Sequence, residues 1–500
     1  MTPGTSQTDT VAFLAGLAGA PPMETHISLV FLGQDTVWKL KKAVRLAFLD
    51  FSTLESRKHF CERELELNRP AAPSLYRDVA PVVRRPDGTI ALGGDGEVVD
   101  WVVRMARVPA GDFLDTRAAA APLSPEMLDA IADAVALWHQ SLPPLPGAHP
   151  DLAGIADGNA MAGLAAGLNP VAVEAWRVGV RARLAANAAW HAARANEGFV
   201  RRCHGDLHLG NLCLWQGRPV PFDALEFDEA LATTDLSYDL AFLLMDMEQR
   251  QDRAAANRVL NRYVARTGDT GLVGGLPEFL SMRAAIRAHA HVPPIPVEGR
   301  LARRGAAPDY LNAAALYLTP RAPVCVAVGG LPGTGKSTLA RALAPLLGRA
   351  PGALVLRSDE IRKRQHGLAP EHRLPASAYT PAKSVAVFDA LVRDTAAAVQ
   401  AGQAAIADAM FLNHVHRDRV ERAAGQTGVP FVGLWLMASA ETLERRVAAR
   451  RGDASDATVE VLRAAAKNDP GPGAWHAIDA SDSSLALALA KTILSPHMLS

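Results

Sequence analysis

Two short stretches of this sequence combine the residue types that handle phosphate groups. Residues 330–338 read GLPGTGKST, and residues 204–211 read HGDLHLGN, with Asp223 following in the segment VPFDALEF. Transfer of a phosphoryl group needs positive charge on the phosphates, hard oxygen ligands for Mg²⁺ and a carboxylate near the acceptor hydroxyl. The sequence therefore predicts two separate sites for the phosphates of a nucleotide.

The glycine-rich stretch fits the pattern GxxxxGK[ST], with Gly330, Gly335, Lys336 and Ser337 at its defining positions. An apolar strand pattern precedes it and a helical pattern begins near Ser337, so backbone N–H groups and the helix dipole can converge on a phosphate. We expect Lys336 to contact the β- and γ-phosphates and the Ser337 hydroxyl to join the Mg²⁺ shell. A structural turn rich in glycine is the alternative. The predicted nucleotide contacts are Gly330, Leu331, Pro332, Gly333, Thr334, Gly335, Lys336, Ser337 and Thr338.

Candidate acceptor and metal residues follow the next two predicted strands. LVLRSDEIRKR places Asp359 and Arg362 after one strand, and AIADAMF places Asp408 at the end of the other. Ligands of an open parallel sheet bind at the carboxyl ends of its strands. There Asp359 can hold or deprotonate an acceptor hydroxyl, Arg362 can clamp an anionic group, and Asp408 can hold a water of Mg²⁺. The later stretch LERRVAARRGD is either a solvated helix face or a lid whose arginines close over phosphate. Its arginines are Arg445, Arg446, Arg450 and Arg451.

The second stretch supplies the same chemistry from different residues. Asp206 fits the role of the carboxylate near the acceptor hydroxyl, and Asn211 and Asp223 fit the role of Mg²⁺ ligands. The loop between Asp206 and Asn211 can bring acid and amide together, while a hairpin returns Asp223 from the next strand. His204 and His208 are four residues apart, but that spacing suits zinc only on a helix, so we interpret both as structural.

The pattern of predicted elements divides the chain at residues 318–323, where a helical stretch over 310–318 meets TPRAP and then a strand. Downstream, β-type runs at 324–328, 353–356, 404–407 and 431–436 alternate with helical stretches, which predicts an α/β P-loop domain with a doubly wound parallel sheet over 323–500. Upstream, an α+β bilobed domain is predicted over 1–318. Its β-rich small lobe covers about 24–108, with one helix near 55–68, and its helical large lobe covers about 109–318.

Both halves resemble known families. GLPGTGKST, SDEIRKR, IADAMF and the arginine-rich stretch with SDA at 455–457 are similar to the small P-loop kinases related to polynucleotide kinase, gluconate kinase and chloramphenicol phosphotransferase, an architecture shared with zeta toxins. HGDLHLGN with Asp223 resembles the aminoglycoside phosphotransferase and protein-kinase-like families. The motif LDFSTLESRKHFCERELELNR and the order of the halves resemble bacterial fusions of a phosphotransferase-like domain with a P-loop kinase of the AAA family ATPase kind.

The resemblance to kinases implies further site residues in the small lobe and in the large lobe. Lys39 of TVWKLKKAV is the preferred lysine for the ATP phosphates, with Lys41 in reserve, and Glu64 is its partner glutamate. The alternative is a strand and helix that carry only surface charge. The resemblance also implies that Asp206 is the catalytic base, that Asn211 and Asp223 bind metal, and that Asp235 and Asp239 in DLSYDLAFLL are supporting carboxylates.

Composition narrows the class of protein. The 500 residues carry 52 Lys and Arg against 52 Asp and Glu, so no overall field attracts nucleic acid or anionic lipid. No apolar run approaches the roughly 18 residues that span a bilayer, and the four cysteines form no CxxC pair. We therefore expect a cytoplasmic protein without a membrane or nucleic-acid partner, acting on a small hydroxylated molecule with ATP and Mg²⁺.

Three functions fit these observations. The first is a bifunctional small-molecule kinase that transfers the γ-phosphoryl of ATP at both sites. The second is a P-loop kinase or ATPase regulated by a non-catalytic nucleotide sensor. The segment FLGQDTV before Lys39 contains one glycine, Gly33, and lacks a GxGxxG loop, which favours this hypothesis slightly. The third is a nucleic-acid end kinase, for which the arginines around Asp359 offer a modest basic patch with few aromatic residues for base stacking.

Overall fold

The first part of the chain alternates apolar and polar side chains and forms an antiparallel sheet with helices beside it. The computed structural model describes residues 7–46, 49–290, 309–449 and 454–498. The elements of this first part are α1 (Thr8–Ala18), β1 (Met23–Glu24), β2 (Ser28–Leu32), β3 (Thr36–Lys41), β4 (Arg45–Leu46), β5 (Leu49–Asp50), α2 (Leu54–Asn68), β6 (Tyr76–Arg84), β7 (Ile90–Leu92) and β8 (Glu97–Ala106). Six strands pair in the order β1-β2-β3-β8-β6-β7, and β4 pairs with β5.

Strand β3 lies in the middle of this sheet and brings Lys39 opposite Val30 of β2 and Val103 of β8. One face of the sheet packs a core that includes Phe31 and Leu40, both fully buried. Helix α2 begins after Thr53, whose side chain accepts a hydrogen bond from the backbone N–H of Ser56 and so caps the helix. The β-rich small lobe with a single helix near 55–68 is confirmed, and β3 and α2 are the elements that position its charged residues.

The middle of the chain is mostly helical, with two short strand pairs. Its elements are α3 (Leu114–Ala120), α4 (Pro125–Ser141), α5 (Leu152–Ala165), α6 (Pro170–Ala186), α7 (Ala188–Asn196), β9 (Val200–Arg202), β10 (Leu212–Trp215), β11 (Arg218–Pro221), α8 (Glu229–Ala232), β12 (Thr233–Asp235), α9 (Leu236–Arg250), α10 (Arg253–Thr267), α11 (Leu276–His289) and α12 (Tyr310–Tyr317). Strands β10 and β11 form an antiparallel hairpin that turns at Gln216 and Gly217, both at positive φ. The predicted hairpin is therefore confirmed, with HGDLHLGN before it and Asp223 just after it.

The last part of the chain folds into a parallel sheet flanked by helices. Its elements are β13 (Cys325–Gly330), α13 (Lys336–Leu343), β14 (Leu354–Arg357), α14 (Ser358–Gln365), α15 (Pro381–Gln400), β15 (Ala405–Asp408), α16 (His414–Gln426), β16 (Phe431–Met437), α17 (Ala440–Ala449), α18 (Val459–Ala466), β17 (His476–Asp479) and α19 (Ser483–Leu494). The strand order is β14-β15-β13-β16-β17, and every pair is parallel. The four predicted strands and the α/β class are confirmed, while β17 is a fifth strand that the sequence pattern did not predict.

The chain packs as two compact units. One unit contains Met1–Pro122, Leu137–Pro150 and Arg194–Asp239, and the other contains Leu123–Ala136, Asp151–Ala193 and Leu240–Ser500. Helix α10 therefore belongs to the same unit as the parallel sheet. Because this division follows packing rather than family limits, the predicted limits at 318 and 323 stay a prediction. Among the described helices, none has both the length and the apolar character that crossing a bilayer requires.

Truncating a buried side chain of the parallel sheet should lower the stability of the protein strongly. Leu434 of β16 is fully buried between β13 and β17, whereas Leu485 of α19 is 69% exposed. We expect Leu434→Ala to lower the free energy of unfolding by roughly 2–5 kcal/mol through lost burial and a cavity. Leu485→Ala is the control, with an expected change within about 0.5 kcal/mol. Urea unfolding followed by tryptophan fluorescence measures both, and equal effects of the two variants would show that β16 is not central to the core.

Candidate active sites

The loop between β13 and α13 is built around glycine. Gly330 has φ +135°, and a Cβ there would lie 2.4 Å from the carbonyl oxygen of Leu436. Gly333 has φ +87°, and its Cβ would lie 2.8 Å from the carbonyl oxygen of Leu443. No side chain fits at either position without displacing the backbone of β16 or α17. The loop therefore keeps one backbone conformation and runs directly into the start of α13. The helix dipole favours an anion at that end of α13.

Lys336, the first residue of α13, folds back across this loop. Its Nζ donates hydrogen bonds to the carbonyl oxygens of Gly330 and Leu331, both at 2.9 Å. The ammonium group therefore lies over the loop that the sequence predicts to surround phosphate. Phosphate oxygens are stronger acceptors for an ammonium than neutral carbonyls are, so a bound anion can take over these bonds.

Ser337 and Asp408, the two predicted metal ligands of this half, meet at the carboxyl ends of the parallel strands. The Ser337 hydroxyl donates to Oδ2 of Asp408 at 2.5 Å. A hydroxyl beside a carboxylate is a donor set that suits Mg²⁺, with Asp408 holding a metal-bound water. Arg357, which the sequence analysis did not select, lies against both, with Nε 3.1 Å from Ser337 Oγ and 3.3 Å from Asp408 Oδ2. Arg357 also donates to Glu360 at 2.7 Å, so its charge is shared between two carboxylates.

Asp359 and Arg362 lie on helix α14, directly after β14. Burial raises the pKa of Asp359, against which Arg357 acts in the opposite direction. Arg362 is buried, donates to the carbonyl oxygen of Ala378 at 2.9 Å and packs its guanidinium 4.8 Å from the centre of the Tyr379 ring. Asp359 is thus a carboxyl group whose pKa is raised by burial. Arg362, on the same helix, is held against Ala378 and Tyr379.

The carboxylate of Asp456 binds three residues near Arg362. Its carboxylate accepts hydrogen bonds from Lys363 Nζ at 3.1 Å, from the Leu374 N–H at 3.0 Å and from the Tyr379 hydroxyl at 2.7 Å. The neighbouring Ser455 hydrogen-bonds to Asp359. The segment that follows the arginine-rich stretch therefore packs against Asp359, Lys363 and Tyr379.

The arginines of the predicted lid differ in their roles. Arg446 of α17 donates to the carbonyl oxygens of the two residues that follow β17, each at 2.8 Å, so it fixes the backbone. Arg445 is exposed to solvent. Arg450 and Arg451 lie outside the described residues, so closure of a lid over phosphate stays a prediction.

In the first half of the chain, Lys39 joins the two groups expected around it. Its Nζ lies 2.9 Å from Glu64 Oε1 and 2.5 Å from Asp223 Oδ1. Burial alone would lower the pKa of Lys39, but the charges on Asp223 and Glu64 outweigh it and raise the pKa well above its usual range. The predicted phosphate lysine, its glutamate and one predicted metal ligand are therefore brought together.

Lys41 contacts the same glutamate from deeper in the protein. Its Nζ is 2.8 Å from Glu64 Oε2, and it pairs with Glu226, a residue that the sequence analysis did not select. Its side chain is fully buried, whereas that of Lys39 is 12% exposed. Burial alone would raise the pKa of Glu64, but the two lysines lower it to about 2. This arrangement favours Lys39 as the lysine that reaches a ligand and Lys41 as the one that holds Glu64.

The loop of HGDLHLGN brings its acid and its amide together. Asn211 Nδ2 donates to the carbonyl oxygen and to Oδ2 of Asp206, both at 2.9 Å. Because the amide donates through its nitrogen, its oxygen remains as the acceptor that a Mg²⁺ ion uses. Asn211, with the carboxylate of Asp223, therefore fits a metal, and Asp206 is held at a fixed orientation beside it.

The two histidines of this loop have structural roles. His204 is buried and its Nε2 lies 2.9 Å from the carbonyl oxygen of Phe222, while burial lowers its pKa. His208 Nδ1 accepts the N–H of Gly210 at 3.0 Å, and its Nε2 lies 3.4 Å from Asp206 Oδ2. These contacts fit the structural interpretation of both residues and give His208 a place beside the candidate base.

One of the two carboxylates expected to support this loop contacts its start. Asp239 is fully buried and accepts the N–H of Gly205 at 2.9 Å and that of His204 at 3.2 Å. Hydrogen bonds to a carboxylate are strong and directional, so they fix the backbone just before Asp206. Asp235 instead forms a two-pronged ion pair with Arg194 of α7, at 2.8 and 2.7 Å.

Asp223 adopts a backbone conformation that is uncommon for a residue other than glycine, with φ +62°. Two residues missed by the sequence analysis stabilise it: the hydroxyl of Tyr76 accepts the Asp223 N–H at 3.0 Å, and Asn68 Oδ1 accepts the Ala224 N–H at 2.8 Å. Strained conformations of this kind persist where the surroundings hold them, often at functional sites. Both partners are buried polar residues of the small lobe, and nothing in their local sequence marked them.

The phosphate loop predicts different outcomes for two glycine substitutions. Gly333→Ala introduces a Cβ against the Leu443 carbonyl and must move the loop, so we expect nucleotide affinity at this site to fall on the order of tenfold to a hundredfold. Gly367, at φ +67° with open space around its Cβ position, is the matched control. Gly367→Ala should lower stability by about 1–2 kcal/mol for its backbone conformation and leave affinity unchanged. Calorimetric titration with a non-hydrolysable ATP analogue measures both, and equal affinities would contradict this role of the loop.

Comparison with known proteins finds two family matches, one in each half of the chain. A family model described as "Phosphotransferase enzyme family" matches residues 37–272, and one described as "AAA domain" matches residues 325–468. Uncharacterised proteins of Mycobacterium tuberculosis (strain H37Rv) and Mycobacterium bovis are each 29% identical over 476 residues, covering 91% of this chain and 91% of theirs.

Each of the similar solved structures covers part of this chain. A gluconokinase from Sinorhizobium meliloti is 21% identical, with a TM-score of 0.25, and covers 35% of this chain and 98% of its own. A sugar kinase from Janibacter is 20% identical, with a TM-score of 0.28, and covers 35% of this chain and 95% of its own. An aminoglycoside 2'-phosphotransferase in complex with GDP is 14% identical, with a TM-score of 0.34, and covers 59% of this chain and 88% of its own. Residues 37–272 of this chain therefore match the phosphotransferase enzyme family, and residues 325–468 match the AAA domain.

Proposed function

We propose that this protein is an ATP- and Mg²⁺-dependent phosphotransferase with two active sites, each of which transfers the γ-phosphoryl group to a hydroxyl of a small molecule. The observation that carries the proposal is the recurrence of one set of parts. Each half has a lysine for phosphate, a pair of oxygen-bearing residues for a metal and a carboxyl group for the acceptor. The phosphotransferase and P-loop family matches support the type of reaction.

In the kinase-like half, Lys39 would bind phosphate oxygens while Glu64 keeps the ammonium oriented. Asp206, held by Asn211, would accept the proton of the acceptor hydroxyl as the new O–P bond forms. Asn211 and Asp223 would hold the metal. When bound, Mg²⁺ offsets the negative charge on the oxygens of ATP, and positioning supplies most of the remaining rate enhancement.

In the P-loop half, Lys336 would move its hydrogen bonds from two loop carbonyls to the phosphates. Ser337 and Asp408 would present oxygens to the metal, and Asp359 would hold or deprotonate the acceptor hydroxyl. Arg362 is suited to binding an anionic part of an acceptor, because its guanidinium is already fixed by Ala378 and Tyr379. The four cysteines are free and buried, which suits the cytoplasm that we propose as its location.

One pair of variants separates the two sites. Asp206→Asn keeps the shape of the kinase-like site and removes its base, so phosphoryl transfer there should fall by roughly 10²–10⁴-fold. Lys336→Ala removes the phosphate lysine of the other half and should abolish transfer there only. A metabolite library screened by mass spectrometry for ATP-dependent gain of one phosphoryl group on the wild type and both variants assigns each product to a site.

The same screen distinguishes the sensor hypothesis. If Asp206→Asn loses no product while Lys336→Ala loses all of them, the kinase-like half is a nucleotide sensor and the proposal of two active sites is wrong. If neither variant loses a product, both assignments fail.

Burial of Asp359 predicts an acid limit to activity in the P-loop half. An exposed Asp has a pKa of about 3.9. Because burial raises the pKa of Asp359 above this ordinary value, Asp359 loses its ionised form at a higher pH than an exposed Asp does when the solution is acidified. We expect kcat/KM of the Asp206→Asn chain to rise with pH through this raised pKa and then level off. Asp359→Asn on that background should lower the rate and remove the acid limb. An acid limb that persists unchanged in Asp359→Asn would assign it to another group.

A further inference from the structure

The edge of the parallel sheet is covered by side chains of a helix instead of another strand. Strand β14 pairs with β15 on one side only. On its other side, Asn261 of α10 accepts the N–H of Val355 at 2.7 Å and donates to the carbonyl oxygen of Ala353 at 3.1 Å. Asn257, one turn earlier, donates to the same carbonyl at 3.0 Å. The two asparagines are also joined, with Asn261 Nδ2 3.0 Å from Asn257 Oδ1.

This arrangement satisfies a physical need of the sheet. An edge strand presents unpaired N–H and C=O groups, which need partners when they are covered. A side-chain amide has the same donor and acceptor as a peptide group, so Asn261 takes the place of one residue of a neighbouring strand. Asn257 is itself buried, with only 3% of its surface exposed, so its bond to Ala353 is shielded from water.

Other contacts of α10 show that the helix is fixed along its length. Arg253, at its start, donates to the carbonyl oxygen of Gly348 at 2.9 Å. Near its end, Arg262 and Arg266 pair with Glu371 at 2.5 and 3.3 Å. All of these residues belong to one compact unit. Helix α10 lies within residues 37–272, which match the phosphotransferase family, whereas Gly348, Ala353, Val355 and Glu371 lie outside that stretch.

The covered strand leads directly to the phosphate-loop site. Val355 and Arg357 are two residues apart on β14, and Arg357 is the residue that contacts Ser337 and Asp408. Strand β14 is held by β15 on one side, up to the pair of Arg357 with Asp408, and the bonds at Ala353 and Val355 restrain the same strand from its outer side. The distance of this cation from the two candidate metal ligands therefore depends on α10.

We propose that Asn261, supported by Asn257, is a positioning residue for the phosphate-loop site. Through β14 it fixes Arg357 against Ser337 and Asp408, and in this way a helix of the phosphotransferase-family half completes the nucleotide site of the P-loop half. The inference rests on the proposed nucleotide and Mg²⁺ site at Lys336 and Ser337. It makes the Mg²⁺-dependent affinity of that site a property of both halves of the chain.

The test uses full-length Asn261→Ala with Arg258→Ala as the matched control. Arg258 lies on the same helix but pairs with Asp129, at 2.8 and 2.7 Å, and not with the sheet. Calorimetric titration with a non-hydrolysable ATP analogue is run with and without Mg²⁺, and the binding lost in Lys336→Ala identifies the phosphate-loop site. Asn261→Ala should weaken the Mg²⁺-dependent part of that binding by roughly three- to tenfold, the effect of lost hydrogen bonds on position. Arg258→Ala should leave it unchanged.

Each other outcome has a defined meaning. If Asn261→Ala lowers only the melting temperature and keeps the Mg²⁺ dependence of the wild type, Asn261 is merely structural and the inference is wrong. If Lys336→Ala removes no binding, the proposed nucleotide site fails first. Should Asn261→Ala not fold, Asn261→Asp takes its place, because it keeps the acceptor for Val355 and loses the amide donor that contacts Ala353 and Asn257. The same loss of Mg²⁺ dependence is expected, and wild-type dependence in Asn261→Asp would overturn the inference.

Discussion

Buried charge has to be paired, and this requirement organises both candidate sites. Each site pairs its cations with groups of the protein itself: Lys39 with Asp223 and Glu64, Lys336 with two loop carbonyls, and Arg357 with Asp408. An isolated ion away from water would cost several kcal/mol, so a buried cation needs such a partner. Under the proposed function, nucleotide binding would be an exchange of partners, in which phosphate takes the place of a carboxylate or carbonyl around these cations.

The two halves meet this requirement with different scaffolds. In the P-loop half, consecutive residues supply the cradle, because a strand, a glycine loop and a helix start follow one another in the chain. In the kinase-like half, the same functions come from β3, α2 and the loops around the β10–β11 hairpin, which are far apart in sequence. Their relative position therefore depends on buried polar contacts such as those of Asn68 and Tyr76 with the backbone around Asp223.

This difference explains how much the sequence could predict. The phosphate loop, the Asp206–Asn211 pair and the four strands of the parallel sheet were predicted because their signals are local: spacing, glycine content and apolar runs. Arg357, Glu226 and Asn261 were missed because each is a polar residue whose partner lies elsewhere in the chain, and many polar residues in such positions are merely solvated. Strand β17 was missed because its residues, His476–Asp479, are few and mostly exposed.

The choice between Lys39 and Lys41 shows what the tertiary structure adds. Strand alternation places both on one face of β3, and both contact Glu64, so neither spacing nor partner separates them. Burial does, because Lys41 is enclosed with Glu226 while Lys39 retains some exposure beside Asp223. Which of the two lysines can reach a ligand is therefore decided by burial in the folded protein, and the spacing of the two residues along β3 does not report that burial.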